Sequence, residues 1–226
     1  MSSNVPTDGF DPTAAVLPSA SGGVDPISSK PIGIFDSGLG GLTVARAIAR
    51  RLPAEPIYYV GDTKRCPYGP RPQAEVRLFV RQVGRWLESH DVKLVVIACN
   101  TATAAGLDVI QKALKVPVIG VIEPGARAAI QATRTRRVGV LATAGTVASG
   151  AYERAIHNLD AGVQVTQSAA GSFVDYVERE LASGAHLHED WMANKGVFDT
   201  PEVRELALAN VAPLLGRGID TVVLGC

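Results

Sequence analysis

Residues 32–51, which read IGIFDSGLGGLTVARAIARR, contain the pattern that decides the fold. The apolar run Ile32–Phe35 predicts a buried strand, and the glycine-rich loop Asp36–Gly41 follows it directly. Leu42–Arg51 then places apolar side chains at helical spacing. A strand that leads into a helix through a tight loop is the repeating unit of a parallel α/β sheet, so this stretch favours the α/β class.

The same alternation continues along the rest of the chain. It predicts further strands at 56–60, 93–98, 118–122, 137–141, 164–167 and 221–224, and helices at 72–88, 100–114, 125–133, 146–159, 173–182 and 202–215. Right-handed crossovers would arrange these elements as two doubly wound α/β lobes with mostly parallel sheets, residues 31–123 and 124–226. We expect the active site in the cleft between the lobes, since such sheets bind ligands beyond the carboxyl ends of their strands.

The composition is that of a folded chain with no large surplus of charge. Of 226 residues, 46% are hydrophobic and 19% are charged, which excludes a disordered protein. Lys and Arg together number 22, as do Asp and Glu, so neither nucleic acid nor a membrane is expected as the main partner. Three cysteines without a CxxC motif, and no signal peptide, favour the cytoplasm over an oxidising compartment.

Two segments are predicted to lie outside the alternating pattern. Residues 1–30 are rich in Ser, Pro, Gly and Asp and are expected to form a disordered leader. Residues 183–200 are polar and are expected to form a surface excursion. This excursion contains His186 and His188, but no third ligand is clustered with them, so solvent exposure is favoured over a metal site.

The loop Asp36–Gly41 is the first candidate for chemistry. Its glycines permit positive φ and a close approach of the backbone, and its N–H groups could hold a phosphate or a carboxylate. The loop lacks both the GxGxxG pattern and the Walker lysine, which argues against a nucleotide. A purely structural turn, with Asp36 or Ser37 capping the helix, is the alternative.

Two cysteines stand at the ends of predicted strands. Cys99 also precedes a predicted helix, and a helix N-terminus lowers the pKa of a thiol, which favours a nucleophilic or basic thiolate. The alternative for Cys99 is a small buried apolar side chain. Cys226 follows the last predicted strand, so two thiols from opposite lobes could perform acid–base chemistry on both faces of one carbon. Cys66 lies in a loop and is assigned no role.

With these residues the chain resembles the glutamate racemases of the aspartate/glutamate racemase superfamily, from about Pro31 to its end. Six segments carry the resemblance and run in the family's order. They are Ile34–Gly41, Tyr59–Thr63 followed by Pro67–Gly69, Ile97–Ala102, Gly139–Thr146, Phe173–Val174 with Glu178, and Leu224–Cys226.

The resemblance implies interconversion of L- and D-glutamate without cofactor or metal, supplying D-glutamate for the peptidoglycan precursor. It implies that Cys99 works on D-glutamate and Cys226 on L-glutamate, and that Asp36 and Glu178 assist the thiols. The residues implied to bind the substrate are Asp36, Ser37, Pro67, Tyr68, Gly69, Asn100, Thr101 and Thr143.

The chain departs from the family pattern after Cys226, where the family continues with Thr-His-Tyr-Pro and a segment that completes the first lobe. We therefore expect a C-terminally truncated racemase with an incomplete first lobe. We also expect weak or no activity, because a carboxylate beside Cys226 disfavours its thiolate. Two alternatives stay open: an aspartate racemase, or a non-catalytic fragment that binds an amino acid or a partner. A homodimer is left open as well.

Overall fold

Two sheets built mainly of parallel strands confirm the predicted α/β class. The computed structural model describes residues 13–17, 29–183 and 200–226. The chain divides into a first unit of residues 1–124 and a second unit of residues 125–226, one residue beyond the expected boundary. The cleft between the lobes stays a prediction.

The sheet of the first unit has five strands in the order β1-β3-β2-β4-β5. Its strands are β1 (Thr13–Leu17), β2 (Ile32–Asp36), β3 (Ile57–Gly61), β4 (Leu94–Ile97) and β5 (Val118–Gly120). Its helices are α1 (Leu42–Arg51), α2 (Gln73–Ser89) and α3 (Asn100–Ala113). Strands β2 to β5 are parallel to one another, and β1 is antiparallel to β3.

Both faces of this sheet are covered, as expected for a doubly wound lobe. In β4, Val95 and Ile97 join the core formed with α2 and α3, while Val96 joins the core beneath α1. Helices α2 and α3 approach closely because each contributes a glycine. A Cβ at Gly84 would lie 2.6 Å from Ile110 Cδ1, and a Cβ at Gly106 would lie 2.9 Å from Val80 Cγ1.

Strand β1 lies within the segment that we expected to be disordered, so this expectation is wrong for residues 13–17. The strand pairs antiparallel with β3, from Thr13 opposite Gly61 to Leu17 opposite Ile57. The edge of β3 offers unpaired backbone groups, and an apolar segment distant in sequence can satisfy them. The remainder of the predicted leader, except residues 29 and 30, lies outside the described residues.

The sheet of the second unit has three parallel strands in the order β7-β6-β8. Helix α4 (Ile122–Ala132) crosses from the first unit into the second. It is followed by β6 (Arg137–Ala142), α5 (Ala144–Ser149), α6 (Ala151–Leu159), β7 (Gln164–Ala169), α7 (Gly171–Ser183), α8 (Pro201–Val211), a 3₁₀ turn (Ala212–Leu214) and β8 (Thr221–Gly225).

The single helix predicted at 146–159 is wrong, because two helices meet at Gly150. This residue adopts φ of +64°, a left-handed conformation that ends α5 and that glycine tolerates. Of the surface excursion expected at residues 183–200, residues 184–199, which include both histidines, lie outside the described residues. Within the described ranges, no helix combines the length and apolar character needed to cross a membrane, and no cluster of His, Cys, Asp and Glu could hold a metal ion.

Asp220, just before β8, is hydrogen-bonded to the loop that precedes β6. Its carboxylate accepts hydrogen bonds from Thr133 Oγ1 at 2.6 Å and from the backbone N–H groups of Arg134 and Thr135 at 2.6 and 2.8 Å. The Thr133 hydroxyl, aided by these N–H groups, holds the pKa of Asp220 well below its usual range. The ionised carboxylate therefore stabilises the folded second unit.

Because the folded pKa is depressed, this stabilisation is complete above the unfolded pKa of about 4 and is lost as the pH falls below it. We expect Asp220→Asn to have a lower urea midpoint of unfolding than the unaltered chain at pH 7. The difference between the two midpoints should become smaller as the pH falls below about 4. Urea titrations of both proteins, from pH 7 down to strongly acidic pH, test this prediction. A difference in midpoint that stays constant with pH would contradict it.

Candidate active site

The loop between β2 and α1 is closed by its own carboxylate. Asp36 is the last residue of β2, its side chain is buried, and its Oδ2 accepts a hydrogen bond from the Gly38 N–H at 2.9 Å. The N–H groups of Leu42 and Thr43 donate to the carbonyls of Leu39 and Gly40. These three N–H groups are therefore engaged within the loop, and none of them is free to hold an anion in this conformation.

The glycines of this loop were expected to permit positive φ and a close approach of the backbone, and the structure shows the close approach without positive φ. In the part of the chain that the structure describes, the glycines with positive φ are Gly150, Gly216 and Gly218. Gly41 has φ of −63°, and space is what requires a glycine there. A Cβ on Gly41 would lie 2.5 Å from Asp36 Cβ and 3.0 Å from Ala98 Cβ, so the backbone approaches these residues closely.

Cys99 lies where β4 ends and α3 begins, as predicted. It caps α3, and its Sγ accepts a hydrogen bond from the Ala102 N–H at 3.4 Å. The same Sγ is 3.6 Å from Ser37 Oγ, so the structure brings together residues from the ends of two neighbouring strands. Only 7% of Cys99 is exposed, and its thiol is thus both buried and at a helix N-terminus. Asn100 and Thr101 form the first turn of α3.

Tyr68 belongs to the loop between β3 and α2 and is fully buried. Its hydroxyl donates a hydrogen bond to Asp62 Oδ2, and its ring packs against Phe79 with the ring centroids 5.4 Å apart. Burial, together with the hydrogen bond to Asp62, raises the pKa of Tyr68. Pro67, which follows a cis peptide bond, is half-buried, and Gly69 is buried beside Tyr68.

Two residues that contact the loops of this site were not singled out from the sequence. The Tyr59 hydroxyl, on β3, donates to the Gly38 carbonyl at 3.0 Å, and burial, with smaller effects of Asp36 and Cys99, raises the pKa of Tyr59. Asp62, 3% exposed, accepts the hydrogen bond from Tyr68. Both lie in Tyr59–Thr63, one of the segments that carry the resemblance. The local sequence pattern does not indicate that they would hydrogen bond to Gly38 and Tyr68.

In the second unit, Thr143 and Cys226 follow neighbouring strands. Thr143 caps α5, since its Oγ1 accepts from the Thr146 N–H at 3.3 Å. The pairing of β6 with β8 places Ala142 opposite Gly225, so the residues that come next, Thr143 and Cys226, leave the same edge of the sheet. The thiol of Cys226 is exposed, in contrast to that of Cys99.

Tyr152 is a second-unit residue that the sequence did not indicate. It is 2% exposed, and its ring lies so close to Gly225 that a Cβ there would be 3.0 Å from Tyr152 Cε2. Burial, followed by the influence of Cys226, raises the pKa of Tyr152 to about 12. Tyr152 thus packs beneath the end of β8, next to the predicted thiol.

Glu178 cannot be added to this site from the structure. It belongs to helix α7, but its side chain lies outside the described residues. Its role therefore stays a prediction.

Comparison with known proteins adds independent information. Residues 32–226 match the family described as Asp/Glu/Hydantoin racemase. Glutamate racemase of Shouchella clausii is 49% identical over 199 residues, which cover 88% of this chain and 66% of that protein. The chain thus spans about two thirds of the length of this curated relative.

The chain is also similar to solved structures of glutamate racemases. Glutamate racemase isoform RacE1 from Bacillus anthracis has a TM-score of 0.78 at 44% identity, and the match covers 88% of this chain and 69% of that chain. Glutamate racemase from Francisella tularensis, solved in complex with D-glutamate, has a TM-score of 0.76 at 33% identity, with the same coverage. An aspartate racemase from Picrophilus torridus is 16% identical with a TM-score of 0.54, and the match covers 88% of this chain and 80% of that chain. At this identity the likeness shows the fold alone.

Proposed function

Because this chain belongs to the Asp/Glu/hydantoin racemase family, we propose that it acts on glutamate and interconverts the L- and D-forms. The observation that carries the proposal is the setting of Cys99, a buried thiol at the N-terminus of α3 and 3.6 Å from Ser37 Oγ. This is a setting for a thiolate base, since the helix N-terminus favours negative charge at the sulfur.

The reaction needs two groups of opposite protonation state. The Cys99 thiolate removes the α-proton of D-glutamate, the electron pair of the C–H bond stays on the carbon, and the Cys226 thiol donates its proton to the opposite face. L-glutamate then leaves, with Cys99 as the thiol and Cys226 as the thiolate, and the reverse reaction restores the starting state. Proton transfer by positioned groups of this kind is general acid–base catalysis.

The α-proton is only weakly acidic, so the site must also stabilise the carbanion. We propose that Ser37, Asn100, Thr101 and Thr143, together with the loop of Pro67, Tyr68 and Gly69, hold the carboxylates and the ammonium group. Asp36 contributes to substrate binding and, with Glu178, assists the thiols. These side chains are mostly uncharged donors and acceptors, which can fix a small amino acid without a cofactor or a metal.

Glutamate is favoured over aspartate because the similar proteins at 44–49% identity are named glutamate racemases, whereas the likeness to aspartate racemases shows the fold alone. We propose that the product D-glutamate enters the peptidoglycan precursor.

Incubation with D-glutamate or D-aspartate in D₂O, at equal concentrations, tests this choice. We expect deuterium to enter the α-position of glutamate at least about tenfold faster, since one methylene in a fitted pocket is worth roughly 1–3 kcal/mol. Mass spectrometry reads the incorporation, with the same protein sample serving both amino acids. Equal or faster incorporation into aspartate would exclude glutamate as the preferred substrate.

A further inference from the structure

Arg71 donates hydrogen bonds to the loop between β3 and α2, close to residues 67–69. Its Nε–H is shared by two backbone carbonyls, that of Arg65 at 2.9 Å and that of Pro67 at 3.2 Å. Its backbone N–H donates to a third carbonyl, that of Tyr68, at 3.0 Å. Three carbonyls of this loop therefore accept from one residue, two of them from its side chain.

The side chain of Arg71 is itself held in place. Its Nη1 donates to Glu75 Oε1 at 2.8 Å, and its guanidinium lies 5.5 Å from the centre of the Phe79 ring. The same ring contacts the guanidinium of Arg65, at 4.2 Å, and the ring of Tyr68, with the centroids 5.4 Å apart. Contacts at the far end of the side chain thus direct the Nε–H of Arg71 to the loop.

The donor at Nε matters more to the loop than the positive charge does. The side chains of Arg71 and Glu75 are 31% and 39% exposed, and an ion pair with this exposure contributes little to stability. The Nε–H, in contrast, bonds directly to the backbone of the loop. A loop that spends only part of its time in the binding conformation loses affinity in proportion to that fraction.

We propose that Arg71 is a positioning residue, whose Nε–H holds residues 67–69 in the conformation that binds the amino acid. This inference rests on the proposed function, which assigns Pro67, Tyr68 and Gly69 to substrate binding. Loss of the donor should weaken the binding of glutamate. The maximal rate should be retained, because substrate at saturation selects the binding conformation.

Arg71→Gln and Arg71→Met separate the donor from the charge. The side-chain nitrogen of glutamine stands at the position of Nε along the side chain and can donate, whereas methionine has a methyl group there. In D₂O, we expect Arg71→Met to need about tenfold more D-glutamate than the unaltered chain for half-maximal α-hydrogen exchange, with the maximal rate within about twofold. Arg71→Gln should stay within about twofold of the unaltered chain in both quantities.

Alkylation of Cys66 reports the conformation of the loop without requiring turnover. This half-buried thiol lies between the two residues whose carbonyls accept from Nε. We expect iodoacetamide to modify Cys66, measured by mass spectrometry on its own peptide, about fivefold faster in Arg71→Met than in Arg71→Gln. Both variants lack the positive charge, so its effect on the thiol is the same in each. As a control, Glu75→Gln keeps an acceptor for Nη1 and should leave exchange and alkylation unchanged.

Equal rates of Cys66 alkylation in Arg71→Met and Arg71→Gln would overturn the proposal, as would equal concentrations for half-maximal exchange. A general loss of stability would lower the maximal rate by reducing the folded fraction and would leave the half-maximal concentration unchanged. If circular dichroism shows that Arg71→Met does not fold, Arg71→Lys takes its place, because lysine has a methylene group at the position of Nε and keeps the charge.

The inference and the proposed function can fail separately. Absence of α-hydrogen exchange in the unaltered chain would contradict the proposed function, and the alkylation of Cys66 would then decide alone whether Arg71 holds the loop. Normal exchange in the unaltered chain, with Arg71→Met matching Arg71→Gln in both measurements, would remove only the positioning role.

Discussion

Replacing Cys99 with serine should slow the exchange of the α-hydrogen of D-glutamate by about 10²–10⁴-fold, the contribution of a positioned general base. Serine is close to cysteine in size and can accept the same hydrogen bond from Ala102, so the helix cap is retained. Its hydroxyl stays protonated at neutral pH, whereas a thiol at a helix N-terminus can ionise. The base is lost while the fold is kept.

The exchange is measured by NMR as loss of the α-proton signal of D-glutamate in D₂O. Cys66→Ser is the matched control, since it makes the same atomic change at a half-buried cysteine that is assigned no role. We expect Cys66→Ser to exchange at close to the rate of the unaltered chain. Equal rates in Cys99→Ser and Cys66→Ser would exclude Cys99 as the base.

Gly41→Ala should both destabilise the first unit and impair the site. The added Cβ would lie 2.5 Å from Asp36 Cβ and 3.0 Å from Ala98 Cβ, and neither neighbour is a flexible chain end that can swing aside. We expect the free energy of unfolding to fall by about 1–3 kcal/mol, as for other overpacked sites. Because Asp36 must shift to relieve the contact, α-hydrogen exchange should fall as well.

Gly40→Ala is the control for this effect, since its added Cβ would lie 3.9 Å from Asp36 Oδ2, an ordinary contact distance. Urea denaturation compares the stabilities, and D₂O exchange compares the activities. A Gly41→Ala protein as stable and as active as Gly40→Ala would show that the close approach of the loop to Asp36 is not required.

The sequence predicted helices well where the helical spacing of apolar residues was strong. Helix α1 begins at Leu42 and ends at Arg51, as its apolar spacing indicates. The break at Gly150 was missed because the apolar spacing continues across it, although a glycine within a helical pattern was the available sign. Helix α4 begins before its predicted start, with Pro124 in its first turn, where the missing N–H is not needed.

Contacts between segments distant in sequence could not be predicted in the same way. Strand β1 is defined by its pairing with β3, and nothing in its own composition reveals this partner. Tyr59, Asp62 and Tyr152 contact the site only because the fold places them there. Their residue types are equally common in cores, so the sequence offered no reason to select them.

The positions of Asp36, Ser37 and Cys99 were more predictable, because they follow neighbouring parallel strands. The carboxyl ends of β2 and β4 meet at one edge of the sheet, and this geometry alone brings Ser37 to the sulfur. For the glycine at position 41, both positive φ and a close approach of the backbone were predicted, and the close approach is the one that the structure shows. A glycine-rich sequence does not distinguish positive φ from lack of space, and only the distances to Asp36 and Ala98 decide it.

We propose that Cys99 acts on D-glutamate and Cys226 on L-glutamate. This assignment is tested most directly by α-hydrogen exchange in D₂O, measured separately for D- and L-glutamate. We expect the unaltered chain to place deuterium in D-glutamate, Cys226→Ser to retain this exchange, and Cys99→Ser to lose it. Exchange of L-glutamate should show the opposite dependence. D-glutamate that still acquires deuterium in Cys99→Ser at the rate of the unaltered chain would contradict the assignment of Cys99 as its base.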